Sequence, residues 1–240
     1  MGEQTDARDT PTDSIIAPDL QPRRRPVQQR SRERFARILE SARELLLNTG
    51  FETLTCEAIA ANAGLPVGTL YQFFPNKFSI VCELDRLDTE SVAAEVDRFA
   101  EQIPTPDWAE LLDAVIDHLA DAWLADPSRR FVWLSMQATN ATRDAAAIHQ
   151  QQLFERVGRV LAPLTPKMPR PERTMIAQVV VHTVYSMLNF SVREPETRQA
   201  SVRETKRLVL AYLAEASKQP FEVSPASGRA SSTSKRRGAQ

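Results

Sequence analysis

Apolar side chains recur three and four positions apart through most of this chain, a spacing that predicts helices. The first such stretch spans roughly residues 28–49, and Gly50 is suited to end it. Its apolar positions fall on one helical face: Phe35, Ile38, Leu39, Ala42, Leu45 and Leu46. No alternating apolar and polar run is bounded by turn residues, as a strand would be. The pattern therefore predicts an all-α fold.

Two short helical patterns follow, at residues 55–62 and 66–74, and Gly64 lies in the turn between them. Two short helices joined by a short glycine-containing turn are typical of a helix-turn-helix. The second helix offers small or polar groups that can enter the major groove of DNA, namely Val67, Gly68, Thr69, Tyr71 and Gln72. We therefore predict that residues 54–77 read DNA.

A break at Pro75 precedes a long helical pattern over residues 77–102. Later patterns predict helices at about residues 107–125, 127–140, 142–162, 171–192 and 195–217. We therefore expect about nine helices, with a three-helix N-terminal head joined by the long helix to a C-terminal helical body.

The penultimate helix is apolar on more than one side, which a single core face does not require. Such a helix is either buried against a partner subunit or enclosed within its own protomer. We predict a homodimer interface formed by the last two helices, at Ile176, Val180, Val184, Leu188, Val202, Leu208, Val209 and Tyr212.

The two ends of the chain lack helical periodicity. Residues 1–27 are polar and rich in proline, and residues 218–240 are rich in Ser, Ala and basic residues, so we expect both to be disordered. The N-terminal arm ends in Arg23, Arg24 and Arg25. This basic end either contacts a minor groove or phosphates, or serves only to keep the chain soluble.

Charge is unevenly distributed, although the 240 residues carry a net charge of only −1. Residues 23–77 contain nine Arg or Lys and five Glu, whereas residues 83–126 contain thirteen acidic and two basic residues. A DNA-binding protein with one basic face and a DNA-repelling body shows this distribution. Solvated helix faces of uneven sign are the alternative interpretation.

Catalytic and metal-binding patterns are absent from the sequence. Three separate histidines lie in helical patterns, the cysteines Cys56 and Cys82 have no metal-ligand spacing, and no glycine-rich phosphate loop occurs. We therefore expect neither an enzyme nor a metal or cofactor. Two cysteines, no long apolar run and a polar N-terminus favour a cytoplasmic protein, associated with the nucleoid when bound to DNA.

Residues 34–80 resemble the TetR (tetracycline-repressor) family of bacterial transcription regulators. The matching positions are Gly50-Phe51, Leu54-Thr55, Ile59-Ala60, Ala63-Gly64, Gly68-Thr69-Leu70-Tyr71, Phe74 and Lys77. The resemblance implies a homodimer with DNA-binding heads on ligand-binding bodies. It places Thr55, Tyr71 and Lys77 on phosphates, Val67, Gly68, Thr69 and Gln72 at base edges, Phe73 at the DNA backbone, and Leu70 and Phe74 in the head core. Pro66 and Phe78 depart from the family pattern, which often has a polar cap and an acidic residue there.

These observations favour a repressor that leaves a near-palindromic operator when a small apolar or amphipathic molecule binds the body. We assign the DNA-binding domain to residues 28–76 and the ligand-binding and dimerisation domain to residues 77–217. The candidate pocket residues are large side chains that could equally be core: Phe99, Trp108, Trp123, Trp133, Met136, Phe154, Tyr185 and Met187. The alternative function is a ligand-binding or protein-interaction module without operator-specific DNA binding.

Overall fold

A computed structural model of the chain describes residues 16–102, 108–193 and 195–218. These ranges form nine α-helices and no strand, which confirms the predicted fold class. The helices are α1 (Gln29–Thr53), α2 (Cys56–Asn62), α3 (Val67–Phe73), α4 (Lys77–Gln102), α5 (Trp108–Ala125), α6 (Ser128–Met136), α7 (Asn140–Val160), α8 (Arg170–Arg193) and α9 (Arg198–Ala216). No helix in these ranges has both the length and the apolar character that crossing a bilayer requires.

Helices α1 to α3 form the head around a core of apolar side chains. Phe35 of α1 stacks on Phe74 with ring centroids 4.8 Å apart and meets the edge of Phe73 at 5.6 Å. Two glycines with positive φ shape this part of the chain: Gly50 (φ 77) interrupts the end of α1, and Gly64 (φ 61) lies in the turn between α2 and α3. L side chains are strained at such φ values, so these glycines give the head its turns.

Helix α4 connects the head to the body without interruption. The Asn76 side chain accepts a 2.9 Å hydrogen bond from the Ser79 backbone N–H, which satisfies one donor at the start of α4. Ile80 and Leu84 lie in the head core, whereas Val92 and Val96 lie in the body core. One helix therefore contributes side chains to both cores.

The body consists mainly of the second half of α4 with α5, α7, α8 and α9. Helix α4 packs against α5 and α7, and α8 and α9 pack against each other and against these helices. Helix α6 is different, because it packs against α1 and α4. Its Val132 and Met136 are completely buried with the head residues. The packed core of the head therefore includes α6 in addition to α1, α2 and α3.

Residues 16–28 cross the surface of the head and are here called the strap. Ile16 and Leu20 are buried in the head core, and the Arg23 N–H donates a 2.7 Å hydrogen bond to the Phe73 carbonyl. The prediction of a disordered arm is therefore wrong for the described part of residues 1–27, because two apolar side chains anchor it. Residues 1–15 lie outside the described residues, as does the predicted tail apart from its first residue.

Candidate DNA interface and effector cavity

Helix α3 has one buried and one exposed face. Leu70 is fully buried, whereas Val67 and Tyr71 each expose 40% of their surface and Gln72 is also exposed. The half-buried Thr69 borders this outer face. A Cβ atom at Gly68 would meet nothing within 4 Å, so the backbone there is open to close approach. The exposed face is suited to a major groove, which admits a helix with small side chains.

Two polar groups stand beside this face. The Thr55 side chain accepts a 3.1 Å hydrogen bond from the Ala58 N–H and so caps α2. The Tyr71 hydroxyl donates a 3.0 Å hydrogen bond to a Glu57 carboxylate oxygen, and this bond raises the pKa of Tyr71 above its usual value. The Tyr71 side chain therefore stays protonated and bridges the outer surfaces of α2 and α3.

A polar cluster joins the head to the body. Arg43 of α1 donates to Asp88 of α4 at 2.5 Å and to the Ser128 hydroxyl at 3.1 Å. His149 of α7 lies 2.8 Å from Asp85 of α4, and both side chains are more than nine-tenths buried. Burial raises the pKa of Asp88, while Arg43 opposes that effect. These pairs fix α4 against α1, α6 and α7.

An apolar cavity of about 700 Å³, partly open to solvent, lies within the body. Its walls come from α4, α5, α7 and α8 and from the residue after α7. The Tyr185 hydroxyl is the one polar side-chain group among the lining residues. These residues are Val92, Val96, Leu111, Leu112, Val115, Ile116, Leu119, Leu153, Val157, Val160, Leu161, Val180, Val181, Val184 and Tyr185. Burial raises the pKa of Tyr185. Apolar walls with a single polar side-chain group are typical of small-molecule sites.

A smaller cavity of about 290 Å³ adjoins the polar cluster. Asp85, Asp88, Thr89, Val92, Trp123, Arg129, Val132, Trp133 and Tyr185 line it. Val92 of α4 and Tyr185 of α8 line both cavities. The wall between the apolar cavity and the head–body junction is therefore only one side chain deep at these positions.

Family comparisons match both parts of this architecture. The family described as "Bacterial regulatory proteins, tetR family" matches residues 38–84. The family "Tetracyclin repressor-like, C-terminal domain" matches residues 106–216. The chain belongs to the TetR family. It is a DNA-binding transcriptional regulator with an effector-binding body, and the alternative of a module without operator-specific DNA binding is not favoured.

The TetR-family chain is similar to the HTH-type transcriptional repressor KstR of Mycolicibacterium smegmatis. The two are 27% identical over 187 residues, which cover 75% of this chain and 85% of that repressor. KstR of Mycobacterium tuberculosis is 33% identical over 75 residues, covering 31% of this chain and 34% of that one.

Solved structures of TetR-like regulators share the fold. The fatty acid degradation regulator FadR of Bacillus halodurans superimposes with a TM-score of 0.64 at 16% identity, covering 78% of this chain and 97% of that one. A complex of SmeT, the repressor of a multidrug efflux pump in Stenotrophomonas maltophilia, with triclosan gives a TM-score of 0.57 at 20% identity. That match covers 77% of this chain and 91% of SmeT.

One of the predicted DNA contacts, Phe73, needs correction in this TetR-family head, and a second, Lys77, has partners within the protein. Phe73 is only 1% exposed, because it lies three positions after the buried Leu70 and so faces the head core as Leu70 does. Phe73 therefore does not lie at the DNA backbone. Lys77 is half-buried, and its ammonium donates to the carbonyls of Phe51 (3.0 Å) and Glu52 (3.4 Å). It caps the end of α1, where a cation is favourable. A phosphate contact by Lys77 stays a prediction.

The predicted pocket residues lie mostly outside the apolar cavity. Tyr185 lines it, and Trp123 and Trp133 line only the smaller cavity. Met136 belongs to the head core and Phe154 is buried in the body core. Neither cavity is lined by Phe99, which packs on the His118 ring at 5.3 Å, or by Met187. The side chain of Trp108 lies outside the described part of the chain. Large side chains fill space, so the cavity is formed instead by Val and Leu.

Most residues of the predicted dimer interface lie inside the protomer. Five predicted residues are inside the core of the protomer and cannot reach a partner: Ile176, Val180, Val184, Leu188 and Val209. Val202 and Tyr212 pack half-buried against that core. Leu208 is 51% exposed and therefore available. Among the described side chains of α8, the large apolar ones that are exposed are Met175, Val179 and Phe190.

The strap is attached to α4 through a buried carboxylate. Glu83 is 3% exposed and pairs with Arg25 of the strap at 3.1 Å and with Arg86 at 2.7 Å. Burial alone raises the pKa of Glu83, but hydrogen bonds from Arg86 and Arg25 outweigh it, so the pKa lies below its usual value. A carboxylate with a lowered pKa stabilises the fold above its unfolded pKa, and this contribution is lost as the pH falls through the folded pKa.

Replacing this carboxylate by Glu83→Gln should lower the free energy of unfolding by about 1–3 kcal/mol at pH 7, because two guanidinium groups lose their ionised partner. The difference from the wild type should narrow as the pH falls below about 4.3, the usual Glu value. Denaturant titrations followed by circular dichroism at several pH values measure both effects. Glu90→Gln, at a 53% exposed partner of Arg86, is the matched control and should cost much less. A difference that stays constant with pH would contradict this account.

Proposed function

We propose that this regulator is a repressor that binds a near-palindromic operator as a homodimer and is released when a small apolar or amphipathic molecule enters the body. The observation that carries the proposal is the apolar cavity beside α4, the helix that also enters the head core. The repressor KstR and the SmeT–triclosan complex support it by similarity. We further propose that the protein acts in the cytoplasm and performs no catalytic step.

The exposed face of α3 supplies the proposed base contacts. Val67, Gly68, Thr69 and Gln72 would lie at base edges in the major groove. Thr55 and Tyr71 would hold phosphates, since both carry hydroxyl groups beside that face. A dimer would place two α3 helices roughly 34 Å apart, about one turn of DNA.

The proposed dimer uses the outer faces of the last two helices. Met175, Val179 and Phe190 expose apolar surface along α8, and Leu208 exposes it on α9. Helices α8 and α9 pack against each other, so the proposed interface combines exposed side chains of two neighbouring helices. Two copies related by a two-fold axis would bury the same patch on both subunits.

Coupling between effector and DNA would act through α4. A ligand in the cavity touches Val92 and Val96, and Asp88, one turn before Val92, is held by Arg43 of α1. Any movement of α4 therefore changes the position of the head. An effector that binds more tightly to a conformation with a different head spacing lowers the affinity for DNA. The effector weakens DNA binding by the same free energy by which DNA weakens effector binding.

The DNA contact is tested by Tyr71→Ala. We expect the dissociation constant for a duplex selected from a random pool by the wild-type chain to rise roughly tenfold or more, because a hydrogen bond to a charged group contributes about 1.5–3 kcal/mol. Gel shifts measure affinity, and sedimentation velocity checks that the dimer is intact. Leu134→Ala, at a 38% exposed residue of α6, is the control. Unchanged affinity of Tyr71→Ala would remove this assignment.

The dimer interface is tested by Val179→Arg. Val179 is 39% exposed in the protomer, so a charge there should leave the protomer folded. In the interface the charge would be desolvated without a partner, and the dimer dissociation constant should rise at least about tenfold. Sedimentation velocity over a concentration series measures it. The control is Leu124→Arg, at a 36% exposed position of α5. Dimers of unaltered stability would refute the assigned face.

The effector cavity is tested by Val157→Trp, which fills it from α7. We expect the uncharged dye N-phenyl-1-naphthylamine to fluoresce on binding the wild type and to bind the variant at least about tenfold more weakly, because the indole removes cavity volume. Thermal melting checks that the variant folds. Leu124→Trp, on the surface of α5, should bind the dye normally. Equal dye binding by Val157→Trp would place the effector site elsewhere.

A further inference from the structure

We propose that the strap is a second DNA-contacting element, in which Arg23 and Arg24 bind phosphates beside the bases that α3 faces. This inference rests on the proposed DNA contact of α3 and extends the interface to a segment that precedes α1. The ligand is the sugar-phosphate backbone of the same duplex. Three observations carry it: the strap is anchored, its three arginines have different surroundings, and Arg24 contacts the exposed face of α3.

The strap is held in place along its length. Ile16 and Leu20 are buried beside the start of α4. The Asn76 side-chain amide donates a 2.8 Å hydrogen bond to the Asp19 carbonyl. The Arg23 N–H donates to the carbonyl of Phe73, the last residue of α3, at 2.7 Å. The position of the arginines is therefore determined by the fold, which reduces the entropy lost when they bind DNA.

Three consecutive arginines have different surroundings. Arg25 is paired with the buried carboxylate of Glu83 at 3.1 Å, so its role is to fasten the strap. The Arg24 guanidinium donates to the neutral Gln72 amide oxygen at 3.3 Å and lies 5.1 Å from the Phe73 ring centroid. The exposed Arg23 side chain has no carboxylate partner within residues 16–102, 108–193 and 195–218. The charges of Arg23 and Arg24 are therefore not neutralised by a carboxylate in this part of the protein.

The location of Arg24 determines what these charges can reach. Gln72 lies on the exposed face of α3 with Val67 and Tyr71, so a guanidinium in contact with Gln72 must lie at the edge of that face. The carboxyl end of a helix carries a partial negative charge, which repels phosphates. Two cations at the end of α3 offset this repulsion where the duplex would approach. Arginine also forms the bidentate hydrogen bonds that phosphate geometry favours.

The test measures how binding depends on salt, because each phosphate contact releases counterions. The probe is a duplex selected from a random pool by the wild-type chain, and the dissociation constant is followed from about 50 to 300 mM KCl by fluorescence anisotropy. If the proposal is right, the double variant Arg23→Gln/Arg24→Gln should lower the slope of log affinity against log salt by about 0.9 per lost contact. Affinity near 150 mM KCl should fall roughly tenfold or more, and a repeated selection should return the same bases.

Matched variants separate a direct contact from a change in stability or net charge. Arg159→Gln/Lys167→Gln removes two exposed charges from α7 and the loop after it, outside the elements assigned to DNA and dimer contacts, and should leave the slope unchanged. Arg24→Lys keeps the charge and should largely keep the slope. Arg25→Gln should lower the melting temperature, whereas the Arg23/Arg24 variant should not.

A wild-type slope for Arg23→Gln/Arg24→Gln would overturn the proposal, and so would an equal loss from the Arg159/Lys167 variant. Altered base preference with an unchanged slope would also overturn it, because phosphate contacts carry no sequence information. Failure of the proposed function is distinguishable from this: in that case the wild type selects no duplex, or Tyr71→Ala has no effect. If Tyr71→Ala weakens binding and the strap variant does not, only the strap contact is refuted.

Discussion

The continuity of α4 is the constraint on which the rest of the molecule depends. Its first turns contribute Ile80 and Leu84 to the head core, and its later turns contribute Val92 and Val96 to the body core. A helix is stiff over this length because each added residue forms a hydrogen bond within it. The head therefore cannot move relative to the body without disturbing one of two packed cores, and each core prefers a small number of arrangements.

The buried polar pairs around α4 are better understood as determinants of position than of stability. Asp85 and His149 are buried, and Arg43 and Asp88 are largely buried; the cost of taking such polar and charged groups out of water is offset only with good geometry. Apolar residues of similar volume would serve stability as well. These pairs instead fix the position of one helix along another, because a hydrogen-bonded pair tolerates little sliding. The register of α4 against α1 and α7 is thereby specified.

Features that follow from helical periodicity could be predicted from the sequence, whereas features that depend on how side chains pack could not. The helices and head core were predictable because residues such as Ile38, Ile59 and Leu70 follow the helical repeat. The role of Phe73 was missed because α3 has only seven residues, too few to fix a buried face beside the adjacent Phe74. The apolar cavity was missed because a void depends on side chains that are small, and large residues attracted the prediction instead. The anchored strap was missed because Ile16 and Leu20 are too few to form a pattern.

The packing of α6 has a consequence for how such regulators diversify. Val132 and Met136 complete a core whose other members are mostly more than fifty residues earlier in the chain. A recombination event that exchanged only the N-terminal segment between two relatives would bring a foreign α1 against a resident α6. Mismatched volumes there would produce either a void or a clash. In this protein, the packing unit of the DNA-binding head therefore includes a helix located in the middle of the chain.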